Sequence, residues 1–317
     1  TIAADATRVY ISGSYLGHLA IDHKGAIVWK KVPQHPSWHS IYISTHLTPS
    51  GMLSLATTRA ELEMRSLTDG ATVWTHVLPG PYNPKLPNPL DMPVVTLSDG
   101  SLVVGGMARK NVARISADGK TRLFDVPING SLRDGALVGD GDRVLAALSG
   151  SQRLVAYDNK GQPLWQRSIG QNTSGAGLNL APKRGILTKA NLPSSGGTRL
   201  TYFDRSCGLE RWKLQLDGTW LIGQSVAVGT ASRIAMLLTK RNTFLRIQAL
   251  SAEGNKLWRH DFEPVFGLAS FEDAGTLRIF GPVGADDALH VLRCQHTKTG
   301  FRNLLEAFDM KTGARLN

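Results

Sequence analysis

Seven short stretches of this chain end in a glycine turn, and in five of them a tryptophan follows the glycine by four residues. The clearest copy is Leu154 to Arg167, LVAYDNKGQPLWQR. It reads as a strand, a tight turn at Asp158-Asn159-Lys160-Gly161 and a second strand. Asp, Asn and Gly suit such a turn because they bond their own backbone or tolerate positive φ. The turn glycines are Gly25, Gly70, Gly119, Gly161, Gly208, Gly254 and Gly313, with successive spacings of 45, 49, 42, 47, 46 and 59. The tryptophans are Trp29, Trp74, Trp165, Trp212 and Trp258. Phe124 stands one place later in the third copy, and the seventh copy ends before the position is filled.

A period of about 45 residues, dense in short strands, is that of a β-propeller blade. A solenoid of helix pairs needs apolar spacings of three and four, which these segments lack. The fold class expected is all-β, a seven-bladed β-propeller of four-stranded antiparallel blades. One propeller of this kind uses the whole chain, 1–317, with blades at approximately 1–33, 34–79, 80–127, 128–170, 171–217, 218–263 and 264–317. Strand expectations follow the repeat. They include a first strand at Thr1 to Thr7, and a run from Leu289 to Cys294 that extends the second strand of the seventh blade as a hairpin. The recurring aromatic is read as core: an indole on the outer strand packs on the next blade and gives its N–H to a backbone carbonyl.

The repeat resembles the PQQ-like, or quinoprotein-like, propeller motif, A-x-D-x-x-T-G-x-x-x-W. Ala156-Tyr157-Asp158 with Gly161 and Trp165 fits it, as do Ala20-Ile21-Asp22 with Gly25 and Trp29, and Ala307-Phe308-Asp309 with Thr312-Gly313. The resemblance implies a propeller used as a docking platform outside the cytoplasm, as in outer-membrane-assembly lipoproteins and sensor ectodomains, and so a periplasmic or secreted location. No signal-like segment is visible in the chain. No apolar run approaches membrane-spanning length.

Charge suggests where such a platform would act. The net charge is +11, from 36 basic and 25 acidic residues, which favours anionic partners but says nothing of fold. In a propeller blade the loops joining second to third strands share a face with the loops joining one blade to the next. The first set carries Arg59, Arg109, Lys110, Arg153, Lys240 and Arg241; the second carries His35, Trp38, His39, Arg133 and Trp220. The opposite turns are rich in aspartate. The binding face expected is therefore Trp38, Arg59, Arg109, Lys110, Arg153, Trp220, Lys240 and Arg241, and its partner an acidic protein or an anionic polysaccharide. Nucleic acid is disfavoured because the cations are not clustered on a stacking platform. The segment Pro79 to Pro93 holds six prolines and reads as a stiff rim.

Catalytic readings are the alternatives. Trp38-His39 followed by Thr48-Pro49-Ser50-Gly51 is loosely similar to arylsulfotransferase propellers. That resemblance implies His39 or His35 as nucleophile, with Arg133 holding the transferred oxyanion. A quinone-dependent dehydrogenase is the third reading, and no calcium and aspartate set matches it. His35 and His39 are four apart, but prolines on both sides of His35 argue against a helix, and a third metal ligand would have to be His46. The Gly139 to Asp142 turn lacks the oxygen ligands of a calcium loop. No metal and no cofactor is expected. Cys207 and Cys294 lie in separate repeats and lack C-x-x-C spacing, so a disulfide is not expected.

Overall fold

The computed structural model describes residues 2–13, 17–32, 42–56, 61–77, 93–106, 109–128, 137–148, 151–169, 174–181, 185–192, 197–216, 220–228, 233–240, 244–262, 278–280, 288–297 and 300–316. Among these the strands form seven four-stranded sheets, each an antiparallel meander in chain order. The first sheet is Ile2–Ala4, Arg8–Gly13, Gly17–Asp22 and Ile27–Lys31. The second is Tyr42–Thr48, Gly51–Ala56, Glu61–Arg65 and Thr72–Val77. The third is Val94–Thr96, Leu102–Gly106, Arg109–Ile115 and Arg122–Pro127. The fourth is Leu137–Asp140, Arg143–Leu148, Arg153–Tyr157 and Pro163–Ser168. The fifth is Ser174–Ala181, Gly185–Leu192, Gly197–Asp204 and Glu210–Gln215. The sixth is Trp220–Val228, Arg233–Lys240, Phe244–Ser251 and Lys256–Phe262, and the seventh is Arg278–Phe280, Ala288–Thr297, Gly300–Asp309 and Arg315–Leu316.

Two strand expectations need correction. The first strand is Ile2–Ala4 rather than Thr1 to Thr7. It stops because Asp5 Oδ1 accepts the N–H groups of Thr7 and Arg8 at 2.7 and 2.8 Å and turns the chain. In the seventh sheet Leu289 to Cys294 is no added hairpin. It lies within the second strand itself, Ala288–Thr297, which pairs residue for residue with Gly300–Asp309.

The chain divides into two compact units, Thr1–Leu145 with Ala156–Leu164, and Ala146–Val155 with Trp165–Asn317. In the first, apolar side chains of one sheet face those of the next. Tyr10, Ala20 and Trp29 of the first sheet meet Met52 of the second. Leu53, Leu62 and Met64 of the second meet Val94, Leu102, Val104 and Ile115 of the third. The second unit repeats this: Leu187, Leu200 and Tyr202 pack with Ile234, Met236 and Leu238, and Ala235, Ile247 and Phe262 pack with Leu289, Val291 and Phe308. Inner strands are accordingly apolar on both faces, as Arg143–Leu148 shows, with five consecutive buried residues. The outer strands Thr72–Val77, Arg122–Pro127 and Lys256–Phe262 alternate, each with its aromatic turned inward.

The recurring aromatic holds successive sheets together. Trp29 Nε1 donates to Leu67 O at 3.0 Å, Trp212 Nε1 to Ala252 O at 2.7 Å and Trp258 Nε1 to Met310 O at 2.9 Å. Each acceptor lies in the turn of the following sheet. The ring then covers that turn's glycine. A Cβ on Gly70 would stand 2.6 Å from Trp29 Cε3, and one on Gly313 2.6 Å from Trp258 Cδ2. Glycine is required there twice over, by this approach and by φ near +70°.

Candidate functional site

The expected binding face is seated on the strand ends where second and third strands join. Arg109 and Lys110 open the third strand of the third sheet, Arg153 opens that of the fourth, and Lys240 closes the second strand of the sixth. Trp220 opens the first strand of the sixth. Arg153 is exposed, and its Nη1 donates to Gln166 Oε1 on the outer strand at 3.1 Å, which leaves its charge facing solvent. The side chains of Arg109, Lys110, Trp220 and Lys240 lie outside the described residues, as do Trp38, Arg59 and Arg241 entirely. The three residues of the transfer reading, His35, His39 and Arg133, also lie outside them.

The opposite turns are a different kind of surface from the one their composition suggests. Their aspartates are engaged by the backbone. Asp22 Oδ1 accepts from Lys24 N and Ala26 N at 2.8 and 2.9 Å, Asp158 Oδ1 from Lys160 N and Gln162 N at 2.8 Å each, and Asp309 Oδ1 from Lys311 N and Thr312 N at 2.8 and 2.6 Å. Backbone N–H donors hold the Asp22 and Asp309 carboxyls below the usual carboxylate range. These residues build turns first, and their charge follows.

One cluster of chemically capable residues was not anticipated. Ser12 Oγ lies 2.9 Å from His18 Nδ1 within the first sheet. His18 Nε2 lies 3.6 Å from Glu63 Oε2 on the second sheet. Glu63 Oε1 accepts from Arg65 Nη2 at 2.6 Å and from Thr72 Oγ1 at 2.9 Å. With a carboxylate facing Nε2, the consistent tautomer carries its proton there, and Ser12 O–H donates to Nδ1. Burial pushes His18 down against the opposing pull of Glu63, so it is neutral at pH 7. Burial raises Glu63, but the His18 and Thr72 hydrogen bonds and the Arg65 charge outweigh it, and the carboxyl ends below its ordinary value.

The order serine, histidine, carboxylate is that of an activated nucleophile. Here it is closed: Ser12 and His18 are each 1% exposed, and no substrate reaches the hydroxyl. The arrangement ties two sheets together. A sequence signal for it did exist. His18 and Glu63 both stand seven residues before their turn glycines, where other copies carry Val112, Leu154 and Ile247. An ionisable residue at an apolar repeat position marks a buried polar pairing. The third such residue, Glu306, is likewise buried and paired with Arg315 Nη2 at 3.0 Å.

A buried cation elsewhere has the same structural character. Arg114 donates from Nε to Ser101 Oγ at 2.8 Å, from Nη1 to Asn159 O at 2.8 Å and from Nη2 to Asp99 Oδ2 at 2.6 Å. No group of three or more metal-ligating side chains occurs among the described residues. No helix there is long and apolar enough to cross a membrane. Cys207 is a free, exposed thiol.

Residues 150–270 match the protein family described as outer membrane protein assembly factor BamB. No curated protein sequence matches the chain. Among solved structures, BamB from Moraxella catarrhalis is similar over 96% of this chain and 84% of its own, with TM-score 0.62 and 14% identity. A streptogramin B lyase is similar over 92% and 88%, with TM-score 0.59 and 11% identity. BBS1N, in a complex with ARL6DN, is similar over 96% and 88%, with TM-score 0.57 and 14% identity. At these identities the likeness establishes the fold, a β-propeller.

Proposed function

We propose that this chain, whose residues 150–270 match the BamB family model and whose fold is similar to that of BamB, is a propeller of the PQQ-like repeat type and a non-catalytic scaffold that docks an acidic protein. The propeller is single and seven-bladed, spans residues 1–317 and works outside the cytoplasm. The observation that carries this reading is the placement of Arg109, Lys110, Arg153 and Lys240 at the ends of second and third strands in three different sheets. In a propeller, equivalent connections of successive repeats share one face, so on this reading the cations act as a field rather than a pocket. A field of this kind steers and orients a large anionic partner more than it activates a small one. Arg59 and Arg241 extend it by their place in the repeat. Two relatives in fold support a protein partner: one is described as an assembly factor for outer membrane proteins, and another was captured in a complex with a second protein.

The test is charge reversal on the intact chain. Replacing Arg109, Lys110, Arg153 and Lys240 by glutamate should abolish capture of protein partners from a periplasmic extract, with the melting temperature unchanged. Raising salt to about half molar should weaken wild-type capture, because exposed charge pairs are screened at that strength. Capture that survives both changes would sink the loop-face reading. Retention on an anionic polysaccharide column without protein capture would reassign the partner to a glycan.

A further inference from the structure

The fifth and sixth sheets pack together within one compact unit, and their outer strands are Glu210–Gln215 and Lys256–Phe262. Trp212 fixes one strand against the start of the other. Its ring covers Gly254, two residues before Lys256, and its N–H reaches Ala252 O. Around this joint six side chains face water. Leu209 and Leu257 are 51% and 44% exposed, and Arg211, Lys213, Lys256 and Arg259 are exposed beside them.

Cations are in excess here. The two strands hold four Lys or Arg and two acids. Both acids are already engaged. Glu210 pairs with Lys213 at 3.7 Å, and Asp261 accepts from Arg246 Nε and, at 3.0 Å, from Arg246 Nη2. Arg211 is balanced by Asp204 at 2.7 Å. That leaves Lys256 and Arg259, which flank Leu257 in the chain, as the excess positive charge of the patch.

Backbone recognition is blocked at both strands. In the fifth sheet Tyr202 pairs with Trp212 and Phe203 with Glu210, which leaves Arg211 out of the ladder. In the sixth, Ala249 pairs with Trp258 and Leu250 with Lys256, which leaves Leu257 out. A bulge of this kind twists an edge away from the geometry that an added strand needs. What remains is contact through long cationic stems and isolated leucines. A protein partner requires a close-packed apolar centre, which two separate leucines do not make. A layer of anionic headgroups requires only cations for its phosphates and aliphatic groups for the acyl boundary.

We propose that the outer strands of the fifth and sixth sheets form a peripheral contact for an anionic lipid bilayer. Lys256 and Arg259 meet lipid phosphates, and Leu209 and Leu257 enter the headgroup layer. This contact is separate from the basic loop face and does not depend on the scaffold reading.

The experiment is co-sedimentation of the full chain with vesicles of phosphatidylcholine alone, and of phosphatidylcholine with about one-third phosphatidylglycerol. The expected result is binding to the anionic vesicles only, lost in about half-molar salt, where exposed charges are screened. Lys256→Glu combined with Arg259→Glu should weaken binding by about tenfold or more. Leu257→Ser should weaken it severalfold and leave its salt dependence unchanged. Melting temperatures should match wild type, because the altered side chains are exposed. The proposal is overturned if the chain sediments equally with both vesicles or with neither, or if the glutamate pair binds like wild type. Loss of vesicle binding in Arg153→Glu combined with Lys240→Glu, with the Lys256 and Arg259 changes inert, would move the membrane contact to the loop face and overturn it. Failure to bind vesicles, together with loss of protein capture in the Lys256 and Arg259 variant, would assign the patch to an acidic protein and overturn it as well.

Discussion

The indole of Trp212 lies across Gly254 so closely that a Cβ on the glycine would stand 2.8 Å from Trp212 Cδ2, while Trp212 Nε1 donates to Ala252 O in the same turn. One side chain thus sets both the spacing and the register of the fifth sheet against the sixth. Gly254→Ala incurs two penalties: the strain of an L-residue at φ +84°, about 1–2 kcal/mol, and displacement of the ring. Gly25→Ala incurs the first alone, since a Cβ there meets nothing within 4 Å among the described residues. Chemical denaturation of both variants should therefore give a larger loss for Gly254→Ala, by about 1–2 kcal/mol. Equal losses would mean that the ring yields freely and does not clasp.

The tryptophans are not energetically alike. Trp212 N–H has an acceptor, whereas Trp165 Nε1 is buried with no hydrogen-bond partner among the described residues. Trp212→Phe removes a satisfied bond and strands a carbonyl, at a cost of about 1–2 kcal/mol beyond the change in packing. Trp165→Phe removes an unsatisfied donor, so its cost should be lower and confined to packing. Phe124 already shows that a phenyl ring can cover a turn glycine, Gly161. Urea unfolding of the two variants compares them directly.

Acid should loosen the first two sheets in a defined order. His18 is held below its ordinary value by burial, so the unfolded chain takes up a proton before the folded one does. Stability then rises with pH, and it is lost as pH falls below about 6.5 toward the lowered folded value. Glu63 is also held low, so its share is lost only at more acid pH, below about 4.3. Asp5, brought down to about 2 chiefly by the Thr7 N–H, follows last. Melting temperature measured from pH 7.5 to 5 should slope in wild type and flatten in His18→Gln, which retains a hydrogen-bonding side chain but does not titrate.

Arg114 is 5% exposed and makes three hydrogen bonds, one of them to Asn159 O in the turn of the next sheet. Its ionic partner Asp99 keeps 52% of its side-chain surface in water. Arg114→Met therefore strands the Asn159 carbonyl but no buried charge, and Ser101 Oγ keeps its bond to Asp99 Oδ1 at 2.6 Å. The expected cost is about 2 kcal/mol, below the figure for breaking a fully buried pair. A loss above about 4 kcal/mol would mean that Asp99 depends on Arg114 for its ionised state.

What the chain's own order of residues determined was the repeat unit: where the turns fall, that the strands are short and antiparallel, and that the aromatic after each turn is core. These are local or nearly local properties. A turn with glycine at positive φ and an aspartate bonded to its own backbone is specified within five residues, and alternation along a strand within six. The apolar pattern of Leu289 to Cys294 marks a strand but does not say which neighbour that strand pairs with. Pairing with Gly300–Asp309 settles that. Tertiary structure alone decided which carbonyls Trp29, Trp212 and Trp258 meet, and that Ser12, His18 and Glu63 form one closed chain across two sheets. Each of these depends on groups about 40 or more residues apart brought together by stacking of sheets. Stacking is driven by burial of many interchangeable apolar side chains, so no single residue in the sequence records its partner.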